Sequence, residues 1–292
     1  GIGMGYSATT PAAIKWFPPA RKGLITGIVV TGFGLASLYI APLTKALIAE
    51  YGVFATFRIL GLGFGLLIGA LAQFLSVPKA AAMAAAAASA RDYTWREMLK
   101  TPQFYLLWLM FLAGSLTGLM LIGHLARIAT LQTGVNMGVT LVAMIAIANA
   151  LGRPVAGFVS GRIGRGRTMA ILYLLQGATL LMFARFDSFA TILAGSMLIT
   201  FSYGAMLAVY PSAVGDFYGT RNIGFNYAIL FTAWGVAGVS GPLAAGWILD
   251  RTGGYGAAFL ITAVLCFFAA GLGLVVKPPR VESAVEPLKM AA

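Results

Sequence analysis

The sequence predicts an all-α polytopic membrane protein. Three observations carry this: uncharged apolar runs of spanning length, a low overall charge, and no period-two alternation. Of 292 residues, 60% are hydrophobic and 10% charged, and mean hydropathy is +0.89. An ordinary soluble domain carries about 25% charged residues, so this chain cannot cover a globule with a solvated surface. A soluble enzyme, a disordered chain and a disulfide scaffold are excluded. Lys, Arg, Asp and Glu are absent from 1–14, 23–44, 59–78, 101–126, 128–152, 168–184, 188–215, 222–249 and 252–276. Most of these runs reach the ~17–25 residues that a helix needs to cross the hydrocarbon core. The runs are continuously apolar, which favours helices over a β-barrel.

In chain order the runs predict helices near 1–16, 23–48, 56–78, 103–127, 138–161, 168–186, 189–213, 222–249 and 254–277. The opening GIGMGYSATTP has no charged leader pattern and reads as the middle of a membrane helix. Between the third and fourth helices, 79–102 differs in kind. An alanine-rich stretch leads into Arg91-Asp92-Tyr93-Thr94-Trp95-Arg96-Glu97. Thr94 and Glu97 have capping-box spacing, which predicts a short helix lying along the membrane surface. Pro102 suits the first turn of the next spanning helix.

The net charge of +12 has no basic domain or continuous basic helix behind it, so nucleic acid is not an expected partner. The charge lies in short loops and reads as topology. Lys15, Arg21, Lys22, Lys79, Arg91, Arg96, Lys100, Arg162, Arg165, Arg167, Arg221, Lys277, Arg280 and Lys289 fall on one side. Lys45, Arg58, Arg127, Arg185 and Arg251 fall on the other. This imbalance predicts a cytoplasmic linker and C-terminal tail, with residue 1 outside, in a cell (inner or plasma) membrane. Cys266, the single cysteine, sits in an apolar run, which leaves no disulfide or cysteine–metal chemistry. No cofactor and no metal are expected.

A shift of 200 residues places Pro11 on Pro211, Ala13 on Ala213, Phe17 on Phe217, Arg21 on Arg221, Pro42 on Pro242 and Leu43 on Leu243. Two coincident prolines and an arginine in matching helix–loop–helix contexts point to an internal repeat, as in transporters built from two related halves. The expected organisation is a partial N-terminal half over 1–78 (its last three helices), a cytoplasmic linker over 79–102, a six-helix C-terminal half over 103–278 and a cytoplasmic tail over 279–292. Three helices precede 189 in the second half with no counterpart before residue 1. The chain is therefore expected to hold nine of twelve transmembrane helices, and nine alone are not expected to close a transport pathway.

The segment Gly157-Phe158-Val159-Ser160-Gly161-Arg162-Ile163-Gly164-Arg165-Gly166-Arg167 resembles the basic loop motif of the major facilitator superfamily, with Gly161 where that motif usually has an acidic residue. Ala13-Ile14-Lys15-Trp16-Phe17-Pro18, with Arg21-Lys22-Gly23 and Gly27, is similar to the oxalate/formate antiporter family and its monocarboxylate-transporter relatives. Asn149-Ala150-Leu151-Gly152-Arg153-Pro154 is similar to the same branch. The resemblance implies a 6+6 helix fold and a secondary transporter of small organic anions, acting as a monomer within the bilayer.

Arg153 is the one charged residue that no helix end brings to an interface. It precedes Arg162 by nine positions, or ~13 Å along a helix. Charge at that depth is costly and marks a polar cavity or a partner. A structural arginine neutralised by helix carbonyls is the alternative. The resemblance implies that this arginine binds the substrate carboxylate, a task suited to its planar donor fork. Asn149, one turn earlier on the same face, offers an amide to the same anion or to a neighbouring helix. His124, the single histidine, is a candidate substrate contact and proton carrier near physiological pH, or else an interfacial residue. Tyr203 and Tyr210 share a face seven residues apart, as do Tyr227, Phe231 and Trp234 at i, i+4 and i+7. These rings are either packing or an apolar wall around a substrate, with Tyr203 deepest among the tyrosines. Candidate substrate-binding residues are thus Arg153, Asn149, Tyr203, His124, Phe231 and Trp234.

One interior cation, with none in 222–249, favours a small monocarboxylate such as lactate, pyruvate or formate, moved with a proton by alternating access. An oxalate/formate-type dicarboxylate antiporter is the alternative. So is a non-transporting membrane receptor on the same fold. No Ser/His/Asp set, carboxylate pair or metal cluster lies in the spans, so the chain is not expected to be an enzyme.

Overall fold

The computed structural model describes residues 2–18, 21–76, 78, 92–134 and 138–279. Within them every regular element is helical: α1 (Ile2–Ile14), α2 (Lys22–Ala72), α3 (Trp95–Met98), α4 (Pro102–Thr133), α5 (Gly138–Ile163), α6 (Arg165–Phe183), α7 (Phe189–Tyr218), α8 (Ile223–Leu230), α9 (Thr232–Thr252) and α10 (Gly256–Val275). Eight stretches among the described residues are long and apolar enough to cross a membrane. The expected first crossing, 1–16, is the 13-residue α1, about 20 Å long at 1.5 Å per residue. Lys79, Arg91, Arg280 and Lys289, with 79–91 of the linker and 280–292 of the tail, lie outside the described residues.

Two joints shape these spans. The runs 23–48 and 56–78 form two helical stretches that meet at Gly52 within the 51 residues of α2, where a φ of 73° and ψ of 173° leave the helical region. Glycine carries that dihedral pair without a Cβ penalty, so the chain turns there without a loop. The run 222–249 is divided at Phe231 into α8 and α9, although Phe231 itself keeps helical angles (φ −65°, ψ −13°). The Thr232 hydroxyl donates to the Ile229 carbonyl and accepts from Trp108 Nε1, so side-chain bonds serve the joint.

The surface helix appears where its cap predicts it. The Thr94 hydroxyl accepts from the Glu97 N–H, and the Glu97 carboxylate accepts from the Thr94 N–H at 2.7 Å. Those bonds, the backbone one foremost, hold the Glu97 carboxyl below its ordinary 4.5. Just upstream, Tyr93 pairs with the α7–α8 turn. Its N–H donates to the Tyr218 carbonyl, while Asn222 and Asn226 donate to its own carbonyl.

Helix α5 is the centre of the packing, with α7 along one side and α2 along another. Both crossings are made of glycine. A Cβ on Gly204 of α7 would collide with the Asn149 carbonyl, and one on Gly152 with the Phe201 carbonyl. On the other side, Gly23 and Gly157 each lie against the other's carbonyl, Gly27 lies against the Arg153 carbonyl, and Gly34 against Ala150. Lipid supplies no hydrophobic force between helices, so this backbone contact supplies the dispersion that holds them. Helix α6 packs on α10, and α4 on α9. Inside that group Tyr173 bonds the Met110 carbonyl and the Tyr210 hydroxyl, while Phe111 stacks on Tyr210 with centroids 4.2 Å apart. By contrast α2 beyond Gly52 presents its apolar side chains outward, Phe54 at 87% and Leu66 at 76% exposure, as a helix facing hydrocarbon would.

The loop motif finds its acid on another helix. Gly161 occupies the motif's usual acidic position, and Arg165 instead pairs with Asp216 of α7 at 2.8 Å, with Ser160 as a second partner.

Candidate functional site

A cavity of about 250 Å³ opens between α2, α4, α5, α7 and the α8–α9 joint. It falls slightly below the roughly 300–1,000 Å³ of drug-sized pockets. Apolar walls come from Phe33, Gly34, Ile122, Val142, Ile145, Ala146 and Leu207. Asn149, Arg153, Tyr203, Phe231 and Trp234 complete the lining. Five of the six substrate-binding candidates therefore meet in one place. Every lining residue lies at mid-depth or toward the side poor in basic residues. At the opposite ends of these helices Gly23 of α2 meets Gly157 of α5, and Asp216 of α7 meets Arg165 at the start of α6.

Arg153 is 4% exposed and borders the cavity. One terminal nitrogen donates to the Val30 carbonyl of α2, and the other to Asn149 Oδ1 at 2.8 Å. The arginine is thus clasped by protein groups without being sealed from the cavity. Asn149 Nδ2 donates to the Thr200 carbonyl at 3.3 Å. The amide that was a candidate donor to the anion instead accepts from the arginine and ties α5 to α7. Its placement is that of a residue orienting the guanidinium.

The aromatic wall is bonded as well as packed. Trp234 Nε1 donates to the Tyr203 hydroxyl at 2.7 Å, and Trp234 stacks on Phe231 with centroids 5.1 Å apart. The expected stripe divides: Phe231 and Trp234 face the cavity, whereas Tyr227 is 1% exposed and outside its lining. Tyr210 likewise points away, into the contact with Tyr173.

His124 is not among the cavity residues. Its Nδ1 meets the Tyr255 hydroxyl at 2.7 Å and its Nε2 the Pro242 carbonyl at 3.0 Å. A carbonyl only accepts, so Nε2 carries the proton and, in the neutral ring, Nδ1 accepts from the phenol. Burial raises the Tyr255 phenol above its ordinary 10.0 and keeps that donor in place, against an opposing pull from Arg127. His124 thus ties α4 to α9 and to the start of α10.

Sequence reasoning missed Val30, Phe33 and Gly34 as site residues. They belong to an apolar run, where nothing marks one residue as facing a cavity. No group of three or more metal-ligating side chains occurs among the described residues.

Comparison with known proteins bears on this arrangement. The description of the Major Facilitator Superfamily matches residues 129–291, more than half of the chain. The chain belongs to the major facilitator superfamily. The oxalate:formate antiporter of Oxalobacter formigenes is 32% identical over 285 residues, covering 95% of this chain and 67% of that protein. The MFS-type transporter YhjX of Escherichia coli (strain K12) is 31% identical over 242 residues, covering 81% and 60%. Monocarboxylate transporter 12 of Xenopus laevis is 24% identical over 312 residues, covering 94% and 66%. A variant of the Escherichia coli fucose:proton symporter superposes with a TM-score of 0.64 at 13% identity, over 94% of this chain and 73% of that one, and so shares the fold. The chain spans 60 to 67% of the length of these three sequence relatives. These relatives are transporters rather than enzymes, in agreement with the expectation from the spans.

Proposed function

We propose that this superfamily member binds and carries a small monocarboxylate, of the lactate, pyruvate or formate kind, with Arg153 as the anion's partner. One observation carries the reading: a buried guanidinium bordering a cavity that is otherwise walled by apolar and aromatic side chains. Anionic oxygens would meet Arg153 at the inner end of the cavity. The carbon skeleton would lie against Phe231, Trp234, Phe33 and Leu207, and the Tyr203 hydroxyl would orient a substrate oxygen. Arg153 is the one cation among the described lining residues, and a single positive charge matches a single carboxylate.

Access would alternate between the two sides as the part containing α1 and α2 rocks against that containing α4–α10. The arrangement described here is then the form open to the outer side, with the basic ends of α2 and α5 closed and the linker and C-terminus cytoplasmic. We infer that any coupled proton enters with the anion, because His124 is engaged elsewhere and does not border the cavity. The names of the first relatives support a carboxylate, and they keep oxalate/formate exchange as the second reading.

Equilibrium binding of labelled lactate, formate and oxalate to the protein in nanodiscs tests this. Lactate or formate should compete more strongly than oxalate. Arg153→Ala should abolish binding, and Arg153→Lys most of it, with membrane insertion intact. Lactate binding retained in Arg153→Ala removes the role of the arginine. Tight oxalate binding with lactate ignored transfers the assignment to the second reading. Counterflow in liposomes separates a carrier from a receptor.

A further inference from the structure

We propose that Arg153 is a two-position latch, held by the Val30 carbonyl of α2 while the cavity is empty and by the carboxylate of an organic anion when it is filled. The proposal rests on the carboxylate reading above and adds what the anion does to the helices. The two terminal nitrogens of Arg153 serve different ends. The bond to Asn149 stays within α5, four residues away, and turns with that helix. The bond to Val30 joins α5 to α2. Around it the crossing has few polar ties. At Gly23, Gly27 and Gly34 backbone meets backbone, held by dispersion without interlocking side chains. The neighbouring polar tie between α2 and α5 among the described residues is long, Thr31 Oγ1 to the Ala150 carbonyl at 3.4 Å. The charge-assisted bond to Val30 is therefore the stronger of these two polar contacts between α2 and α5.

That bond is also easily given up. Val30 lies inside α2, so its carbonyl keeps its place in the helical ladder when the guanidinium leaves. A carboxylate bears a full charge and accepts two parallel bonds from a guanidinium, and so outcompetes a single carbonyl. At 4% exposure the guanidinium offers little of itself to the cavity, so a bidentate grip requires it to turn inward and away from α2. Asn149 follows, since it sits on the same helix. Filling the cavity thus removes the tie between α2 and α5. The glycine contact at their basic ends, Gly23 on Gly157, is then free to part, and a ligand preferring the untied form shifts the population toward it.

A cysteine reporter reads this directly. In a Cys266→Ser background, Leu24→Cys puts one thiol beside Gly23 in the closed crossing, and its maleimide labelling rate follows opening. Saturating lactate should raise that rate about tenfold or more, the effect of losing one charge-assisted hydrogen bond. Arg153→Gln should label at the fast rate without lactate and gain nothing from it. Gly27→Ala keeps the arginine but adds a methyl that meets the Arg153 carbonyl and lies 2.7 Å from Pro154 Cα. It should also label fast in the empty state. Slow labelling of both variants overturns the latch. So does lactate that binds in nanodiscs without changing the rate, an outcome that leaves the carboxylate reading standing. If lactate, formate and oxalate all fail to bind, the carboxylate reading falls, and the latch falls with it because its second position has no occupant.

Discussion

Gly204→Ala measures how closely α5 and α7 are pressed together. The added methyl would sit 2.0 Å from the Asn149 carbonyl oxygen, 2.8 Å from its carbon and 3.0 Å from Asn149 Cα. Ordinary contact begins near 3.4 Å, and the obstructing atoms are backbone, so α5 has to retreat by more than an ångström. The Asn149–Thr200 bond, already 3.3 Å, would stretch with it. Overpacking of this kind costs about 1–3 kcal/mol, partly offset by up to ~1 kcal/mol because alanine is the better helix former. Cys266 supplies the assay. It is fully buried, so a thiol-reactive fluorophore reports unfolding during a thermal ramp. Gly32→Ala is the control, since nothing lies within 4 Å of its new methyl. Gly204→Ala should melt earlier than wild type, and Gly32→Ala at or above it. Equal melting of Gly204→Ala and wild type, or equal losses in both variants, would refute the close-approach argument.

Other outcomes follow from the same contacts. His124→Phe removes the ties to Tyr255 and Pro242, so thermal stability should fall by about 1–2 kcal/mol while lactate affinity stays within about twofold; a large affinity loss would return His124 to the binding site. Tyr173→Phe strips the Tyr210 hydroxyl and the Met110 carbonyl of a shared partner, with an expected cost of about 1–3 kcal/mol in the same fluorophore assay. Glu97 has a depressed carboxyl, so its contribution to α3 is present above its ordinary 4.5 and fades as pH falls through the lowered value. Hydrogen exchange at residues 94–99 should accelerate on that descent, and Thr94→Ala should shift the onset to higher pH.

Much of the fold was legible because lipid imposes a blunt rule. A spanning segment must be apolar and long, and such runs delimit α4 to α7 to within a few residues at most ends. The division between 23–48 and 56–78 was legible, but its form was not, because one glycine with positive φ suffices to turn the chain without a loop. Arg153 was legible as an expense, a charge with no nearby helix end. Phe231 and Trp234 were legible by spacing, but Tyr227 has the same spacing and faces elsewhere, since periodicity gives a face and not what lies opposite it. Val30 had no signal at all, because it contributes a backbone oxygen and its buried side chain is one apolar residue among many in the run. Asp216 as partner of Arg165 was equally hidden, for the two are 51 residues apart and meet only when the start of α6 packs against α7.

Because Gly52 is the whole connection between two long helical stretches, the chain there has no slack. A shift of the stretch before it must be transmitted to the stretch after it, as with two rods sharing one pin. The site should therefore tolerate neither an inserted epitope nor a residue with a side chain, while a longer hydrophilic connector would uncouple the two rods and let each diffuse on its own.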